Sequence, residues 1–101
     1  MSKGKAKITV TARFVGAFRT ISGKGIFPVK FEKTVPLREA VRKIVEDLPR
    51  LKHALIDPEL DDPRPNALIL VNGKEISVLN GLETLLKDGD EVVFVPVLHV
   101  G

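Results

Sequence analysis

Residues 66–101 read NALILVNGKEISVLNGLETLLKDGDEVVFVPVLHVG, and this stretch decides the fold class. Two apolar runs within it, Ala67 to Val71 and Glu91 to Val97, are rich in the β-branched residues that favour strands. Asn72-Gly73 and Asp88-Gly89-Asp90 are typical of tight turns, because glycine and asparagine tolerate the positive φ angles that such turns require. The stretch therefore predicts strands joined by turns, and the last strand leads directly to the final glycine.

Earlier in the chain, residues 8–14 alternate between apolar and polar side chains, which predicts a strand with one buried face. Residues 16–25 contain three glycines and predict a hairpin connection to a second, antiparallel strand around Val29 and Phe31. A helix is expected to begin near Pro36, since proline is tolerated in the first turn of a helix. Its apolar residues recur at intervals of three and four and form one stripe: Leu37, Ala40, Val41, Ile44, Val45 and Leu48.

The region between this helix and the Ala67 strand is acidic and rich in proline. Residues 50–65 are expected to form a long loop, with or without one further helical turn over Leu51 to Ile56. After the Asn72-Gly73 turn, Glu75 to Val78 is expected to return as a short strand. Leu82, Leu85 and Leu86 are then expected to fill the core.

The order of these elements predicts an α+β domain in which one main helix packs on a four- to five-stranded mixed sheet. Alternation along the last strand directs Val92 and Phe94 toward the helix. The side chains between them then point to the opposite face of the sheet, beside the polar residues of the first strand. This second face carries Thr9, Thr11, Arg13, Val93 and Val95. We interpret it as a surface on which a partner protein docks, although a moderately apolar open sheet face also occurs in monomers.

The segments VNG at 71–73, LKDGDEV at 86–92 and FVP at 94–96 resemble the C-terminal half of the MoaD/ThiS family of ubiquitin-like sulfur carriers. Within that family the similarity is greatest to MoaD, the small subunit of molybdopterin synthase. The resemblance implies the ubiquitin-like β-grasp fold, with the first and last strands adjacent and parallel. Two positions depart from the family pattern: Val97 replaces a second proline and Val100 replaces the penultimate glycine.

The resemblance also implies a mechanism in which Gly101 carries the reactive group and no side chain is catalytic. A MoeB-like activating enzyme would use ATP to adenylate the Gly101 carboxylate, which is then converted to a thiocarboxylate. The sulfur would pass to the molybdopterin precursor on a MoaE-like large subunit of the synthase. Residues 96–101 would form a flexible tail that threads into each partner, and they are Pro96, Val97, Leu98, His99, Val100 and Gly101.

Composition narrows the remaining possibilities. A chain of 101 residues is expected to form a single domain, residues 1–101. The absence of cysteine excludes disulfides, thiolate metal sites and a cysteine nucleophile. The acidic segment lacks the regular oxygen-ligand spacing of a calcium loop, and the only two histidines lie far apart in sequence, so we expect no bound metal or cofactor and no enzyme activity. No apolar run is long enough for a membrane helix and no secretory signal is present, so we expect a cytoplasmic protein.

The charges are divided unevenly along the chain. Residues 1–56 contain 13 Lys and Arg against 4 Asp and Glu, whereas residues 57–101 contain 3 against 9. Because no aromatic residues are interleaved with the basic ones, we expect no direct binding of nucleic acid. The basic half is interpreted either as solvated surface or as a docking region for an acidic partner.

Three functions remain open from the sequence. The chain is a sulfur carrier for molybdopterin synthesis or tRNA thiolation, a ubiquitin-like modifier joined through Gly101 to lysines of other proteins, or a β-grasp binding module with an inert tail. We predict the sulfur carrier, with molybdopterin synthesis as the favoured pathway, and keep the others as alternatives. Val100 leaves the third alternative open, because a β-branched side chain stiffens and widens the tail where a partner's channel would be narrowest; either the channel is roomier or carrier activity is lost.

Overall fold

The computed structural model of the chain describes residues 7–98, which form seven strands, three helices and two 3₁₀ turns. The strands are β1 (Ile8–Phe14), β2 (Ile26–Phe31), β3 (Val35–Pro36), β4 (Ala67–Val71), β5 (Lys74–Glu75), β6 (Leu85–Leu86) and β7 (Glu91–Pro96). The helices are α1 (Gly16–Ser22), α2 (Leu37–Asp47) and α3 (Pro49–Leu55), and the 3₁₀ turns are Ile76–Val78 and Gly81–Glu83.

Five of the strands form one mixed sheet in the order β2-β1-β7-β4-β5. At its centre β1 and β7 run parallel, with Ala12 opposite Val92, and the other neighbouring strands in this sheet run antiparallel. The short strands β3 and β6 pair separately. The predicted α+β fold, with the first and last strands parallel in the middle of the sheet, is confirmed.

One face of the sheet packs against the helices and forms the core. The stripe predicted on α2 is buried from Leu37 to Val45, and Leu48 is half-buried at its end. On the sheet side, Phe14 of β1 and Phe94 of β7 place their ring centroids 5.6 Å apart, a distance at which aromatic pairs attract. Alternation predicted the inward direction of Val92 and Phe94 correctly, since both are fully buried.

Residues 16–25 connect the antiparallel strands β1 and β2, as predicted, but they form a helix and a turn, so the prediction of a simple hairpin turn was wrong. Phe18 provides the reason, because its buried side chain ties α1 into the same core as α3. Gly16 and Gly23 both have positive φ and bracket the helix, and the Gly23 N–H donates to the carbonyl oxygen of Arg19 at 2.9 Å. The glycines that indicated a hairpin therefore mark the two ends of a helix.

Three shorter predictions also differ from the structure. Residues 49–55 form a complete helix that begins at Pro49 and buries Leu51 and Leu55, which is more than one optional turn. The strand expected over residues 75–78 ends at Glu75, because the chain turns into a 3₁₀ turn that buries Ile76. Leu85 was expected in the core but is exposed on β6, where its neighbour Leu86 is buried instead.

Candidate docking face and carboxyl-terminal tail

The face of the sheet that points away from the helices is defined here as the outer face. It includes all five residues predicted for docking: Thr9, Thr11, Arg13, Val93 and Val95. Arg13 lies directly opposite Val93 in the parallel pairing of β1 and β7, and Thr11 lies opposite Glu91. The structure thus brings the predicted residues together on the two central strands, whereas their role in docking stays a prediction.

Sequence reasoning missed the contribution of β4 to the outer face. Leu68 lies opposite Val95 and Leu70 lies opposite Val93, so the four side chains form an apolar patch across two strands. Leu68 is 42% exposed. The run ALILV is apolar on both faces and shows no alternation, so its own sequence does not indicate which residues point outward. Only its pairing with β7, whose outer side chains are partly exposed, could have indicated this.

Arg13 does not face solvent as a free cation. Its Nε donates a hydrogen bond of 2.6 Å to the Glu91 carboxylate on the neighbouring strand, and both side chains are about half exposed. Because the two charges offset each other at the boundary of the apolar patch, a partner that approaches here meets a neutral pair. Local sequence patterns do not indicate this pair, since the residues are 78 positions apart.

The acidic residues just before β7 hold the strand in its register. The Asp90 carboxylate accepts hydrogen bonds from the Lys87 backbone N–H at 2.7 Å and from the Asn72 side-chain amide at 2.9 Å. Asp88 accepts the backbone N–H of Thr9 at 2.8 Å. These carboxylates therefore satisfy backbone and amide donors where three strands begin or end, and the DGDE motif has a structural role rather than an acid–base one.

The start of the tail is better anchored than the sequence indicated. Pro96 belongs to β7, where it pairs with Ala67 and packs beside Gly16. The Val97 N–H donates to the Asn66 carbonyl oxygen at 3.0 Å. Leu98 is then 87% exposed, so the chain leaves the sheet two residues later than predicted. His99, Val100 and Gly101, which complete the predicted tail, lie outside the described residues.

Beside the tail, a cavity of about 310 Å³ is lined by residues including Arg64, Leu68 and Val97. The Arg64 guanidinium binds the Asp62 carboxylate through two nitrogens, with Nε 3.0 Å from Oδ1. The Arg64 side-chain hydrogen bond lowers the pKa of the Asp62 carboxyl below its usual value, although partial burial opposes this shift. The Asp62–Arg64 pair holds the end of the acidic loop, residues 56–66, beside β4.

The part of the chain that the structure describes contains no cluster of His, Cys, Asp or Glu suited to holding a metal ion. Within the same residues, no helix combines the length and apolar character that a membrane crossing requires.

A second cavity of about 320 Å³ lies between α2, α3 and the acidic loop, and it is lined by both cations and carboxylates, including Arg38, Glu46 and Asp61.

Comparison with known proteins identifies the family. The profile of the Urm1 (Ubiquitin related modifier) family matches residues 10–101. The chain belongs to the Urm1 family. It is 30% identical to small archaeal modifier protein 3 of Haloferax volcanii over 86 residues, which cover 84% of this chain and 91% of the relative. It is 27% identical to the ubiquitin-related modifier 1 homolog of Culex quinquefasciatus over 96 residues, covering 92% and 87%.

The solved structure of small archaeal modifier protein 1 (SAMP1) from Methanosarcina acetivorans is also similar. It has a TM-score of 0.79 and 27% identity, and the match covers 95% of this chain and 99% of the other. This similarity confirms the ubiquitin-like β-grasp fold. As an Urm1-family protein, the chain is a non-catalytic carrier or modifier of the kind that acts with E1-like activating enzymes.

Proposed function

We propose that this Urm1-family protein is a carrier whose terminal Gly101 carboxylate is activated with ATP and then loaded with sulfur. The supporting observation is that one strand, β7, provides both half of the apolar patch on the outer face and the root of the tail. An activating enzyme that docks on Val93, Val95 and Leu68 would thereby hold the tail at a fixed distance from its ATP site. The family profile extends through Gly101, the residue that would react.

The chemistry needs no side chain of this protein. A carboxylate oxygen of Gly101 attacks the α-phosphorus of ATP, a C–O–P linkage forms, and pyrophosphate leaves. A hydrosulfide ion then attacks the activated carbonyl carbon, a C–S bond forms, and AMP leaves with the bonding electron pair. The carrier contributes position, because the rigid sheet converts a collision between two molecules into a directed approach of the tail.

Intact-mass spectrometry tests this proposal. The chain is incubated with ATP, sulfide and the activating enzyme from the same cell, and we expect a gain of about 16 Da as sulfur replaces oxygen. A variant that lacks Gly101 is the control and should show no gain. Absence of both the mass gain and pyrophosphate release with the intact chain would contradict the proposal. A Val100→Gly variant shows whether residue 100 limits the rate, since glycine removes the β-branched side chain.

Attachment to other proteins is a second fate of the same activated carboxylate. It is supported by the similarity to small archaeal modifier protein 3, whose name describes a modifier. Lys87 is the last lysine or arginine of the chain, so trypsin digestion of a conjugate would leave residues 88–101 attached to the target lysine. Peptides that carry this branch would establish modification, and their absence after successful adenylation would favour the carrier alone.

Sulfur delivery to molybdopterin, with a MoaE-like large subunit as partner, is a narrower proposal. It is supported by the resemblance of residues 86–96 to MoaD. The test is to combine the thiocarboxylated chain with the MoaE-like protein of the same cell and the molybdopterin precursor. Conversion of the precursor with loss of the terminal sulfur would support this role, whereas a stable thiocarboxylate would direct attention to another sulfur acceptor such as tRNA.

A further inference from the structure

Helix α1 and the turn after it place two cations at the end of the sheet from which the tail leaves. α1 follows directly after β1 and packs against both β7 and α3, and Gly16 at its start lies against Pro96. Arg19 lies on α1, and its guanidinium side chain extends over Gly25. Lys24 lies on the turn between α1 and β2. We refer to Arg19 and Lys24 as the basic corner.

These two cations lie in a part of the sequence that has no acidic residues. Residues 13–31 contain no Asp or Glu at all. Among residues 7–98, neither Arg19 nor Lys24 forms an ion pair, a property they share with Lys30, Lys33, Lys52, Lys74 and Lys87. The cations in that range that do form ion pairs are Lys7, Arg13, Arg38, Arg42, Lys43 and Arg64. Arg50 of α3, the helix that packs against α1, is exposed and also forms no ion pair within that range.

The basic corner also adjoins the outer face. Val15, immediately before α1, is 37% exposed, and Ile26, immediately after the turn, is 54% exposed. Ile26 lies opposite Arg13, which lies opposite Val93, so the outer face extends to the corner across the Arg13–Glu91 pair. A partner that covers the outer face and receives the tail would therefore meet Arg19 and Lys24 at the edge of its contact.

We infer that the basic corner recognises an acidic rim on the activating enzyme, around the entrance that receives the tail; this inference rests on the proposed function. Opposite charges at the edge of an interface mainly accelerate association and fix its orientation. Nucleic acid fits less well, because Phe18 is buried and Phe27 is half-buried, which leaves no exposed aromatic ring for a base to stack on.

A charge-reversal experiment tests the inference. The variant Arg19→Glu/Lys24→Glu is compared with Lys33→Glu/Lys74→Glu, which makes the same charge change at the opposite end of the sheet, where β2 ends and β5 begins. Pyrophosphate release is measured with the activating enzyme from the same cell. We expect the corner variant to lower kcat/KM about 10-fold, mainly through KM, and the control to change it less than about twofold.

Salt provides an independent readout. Raising the ionic strength from about 0.05 M to about 0.3 M should reduce kcat/KM of the wild type and remove most of the difference between it and the corner variant. Equal kcat/KM for the two variants would overturn the inference while leaving adenylation intact. Absence of pyrophosphate release from the wild type would instead contradict the proposed function. Binding of a short RNA that is lost only in the corner variant, with unchanged kcat/KM, would also overturn the inference.

Discussion

The two faces of β7 are made of similar residues in very different surroundings. Val92 and Phe94 are fully buried against the helices, whereas Val93 and Val95 are only partly covered on the outer face. All four are apolar, so hydrophobicity alone does not explain why only two of them lie in the core. The inner residues are therefore needed for folding, whereas the outer ones are available for contact with a partner.

Phe94→Ala should have the largest effect on stability. The ring is fully buried and packs against Phe14, so its removal leaves a cavity that the surrounding core fills only in part. We expect the free energy of unfolding to fall by about 3–5 kcal/mol, measured by urea denaturation. A loss as small as that of an exposed valine would contradict the assignment of the inner face to the core.

Asp90→Ala tests the anchoring of β7 at its start. The change leaves the Lys87 N–H and the Asn72 amide without the carboxylate that accepts from them. We expect a loss of about 1–3 kcal/mol in urea denaturation, since both hydrogen bonds go to a charged group. Glu59→Ala is the matched control, because the Glu59 side chain is exposed, accepts no hydrogen bond among the described residues and stands at a position without positive φ, and it should cost less than about 1 kcal/mol.

Val93→Thr/Val95→Thr should separate function from folding. Threonine keeps the β-branched shape that suits a strand, so we expect the free energy of unfolding to change by less than about 1 kcal/mol. The apolar patch becomes polar, and kcat/KM for ATP-dependent activation should fall about 10-fold, equivalent to about 1.4 kcal/mol. Unchanged activation together with unchanged stability would show that the outer face is not used for docking.

Asp62→Asn should have the smallest effect, and one that depends on pH. Arg64 lowers the folded-state pKa of Asp62, so the pair stabilises the fold at pH values above the usual carboxyl pKa. That contribution disappears as the pH falls through the lowered value. The variant should therefore be slightly less stable than wild type at neutral pH and equal to it in strong acid, as measured by thermal unfolding. A stability difference that persists in strong acid would show that it does not arise from the Asp62–Arg64 ion pair.

Alternation and turn residues were sufficient to predict the central part of the fold. The strands around Phe14 and Phe94, the Asn72-Gly73 turn and the stripe of α2 all follow from local patterns. Helix α1 could not be predicted in this way, because its packing depends on one aromatic residue that reaches a core built by distant segments. Its glycines satisfy the requirements of a hairpin and of helix ends equally well.

The candidate site was predictable in part for the same reason. Alternation placed Thr9, Thr11, Arg13, Val93 and Val95 on one face, since each strand has a regular period of two. The outward direction of Leu68 and Leu70 depends on the register between β4 and β7, and the neutralisation of Arg13 depends on its pairing with Glu91. Both are relations between strands, which one strand's sequence does not contain.

The central claim is that the outer face of the sheet, and not its helix-covered side, meets the activating enzyme. Amide chemical-shift perturbation in the isotope-labelled chain, titrated with the unlabelled enzyme, tests it most directly. We expect the amide signals of the outer face to broaden or shift first, namely those of Thr9, Thr11, Arg13, Leu68, Leu70, Val93 and Val95. Perturbations confined to the groove between α2 and α3, with the outer-face signals unchanged, would contradict it.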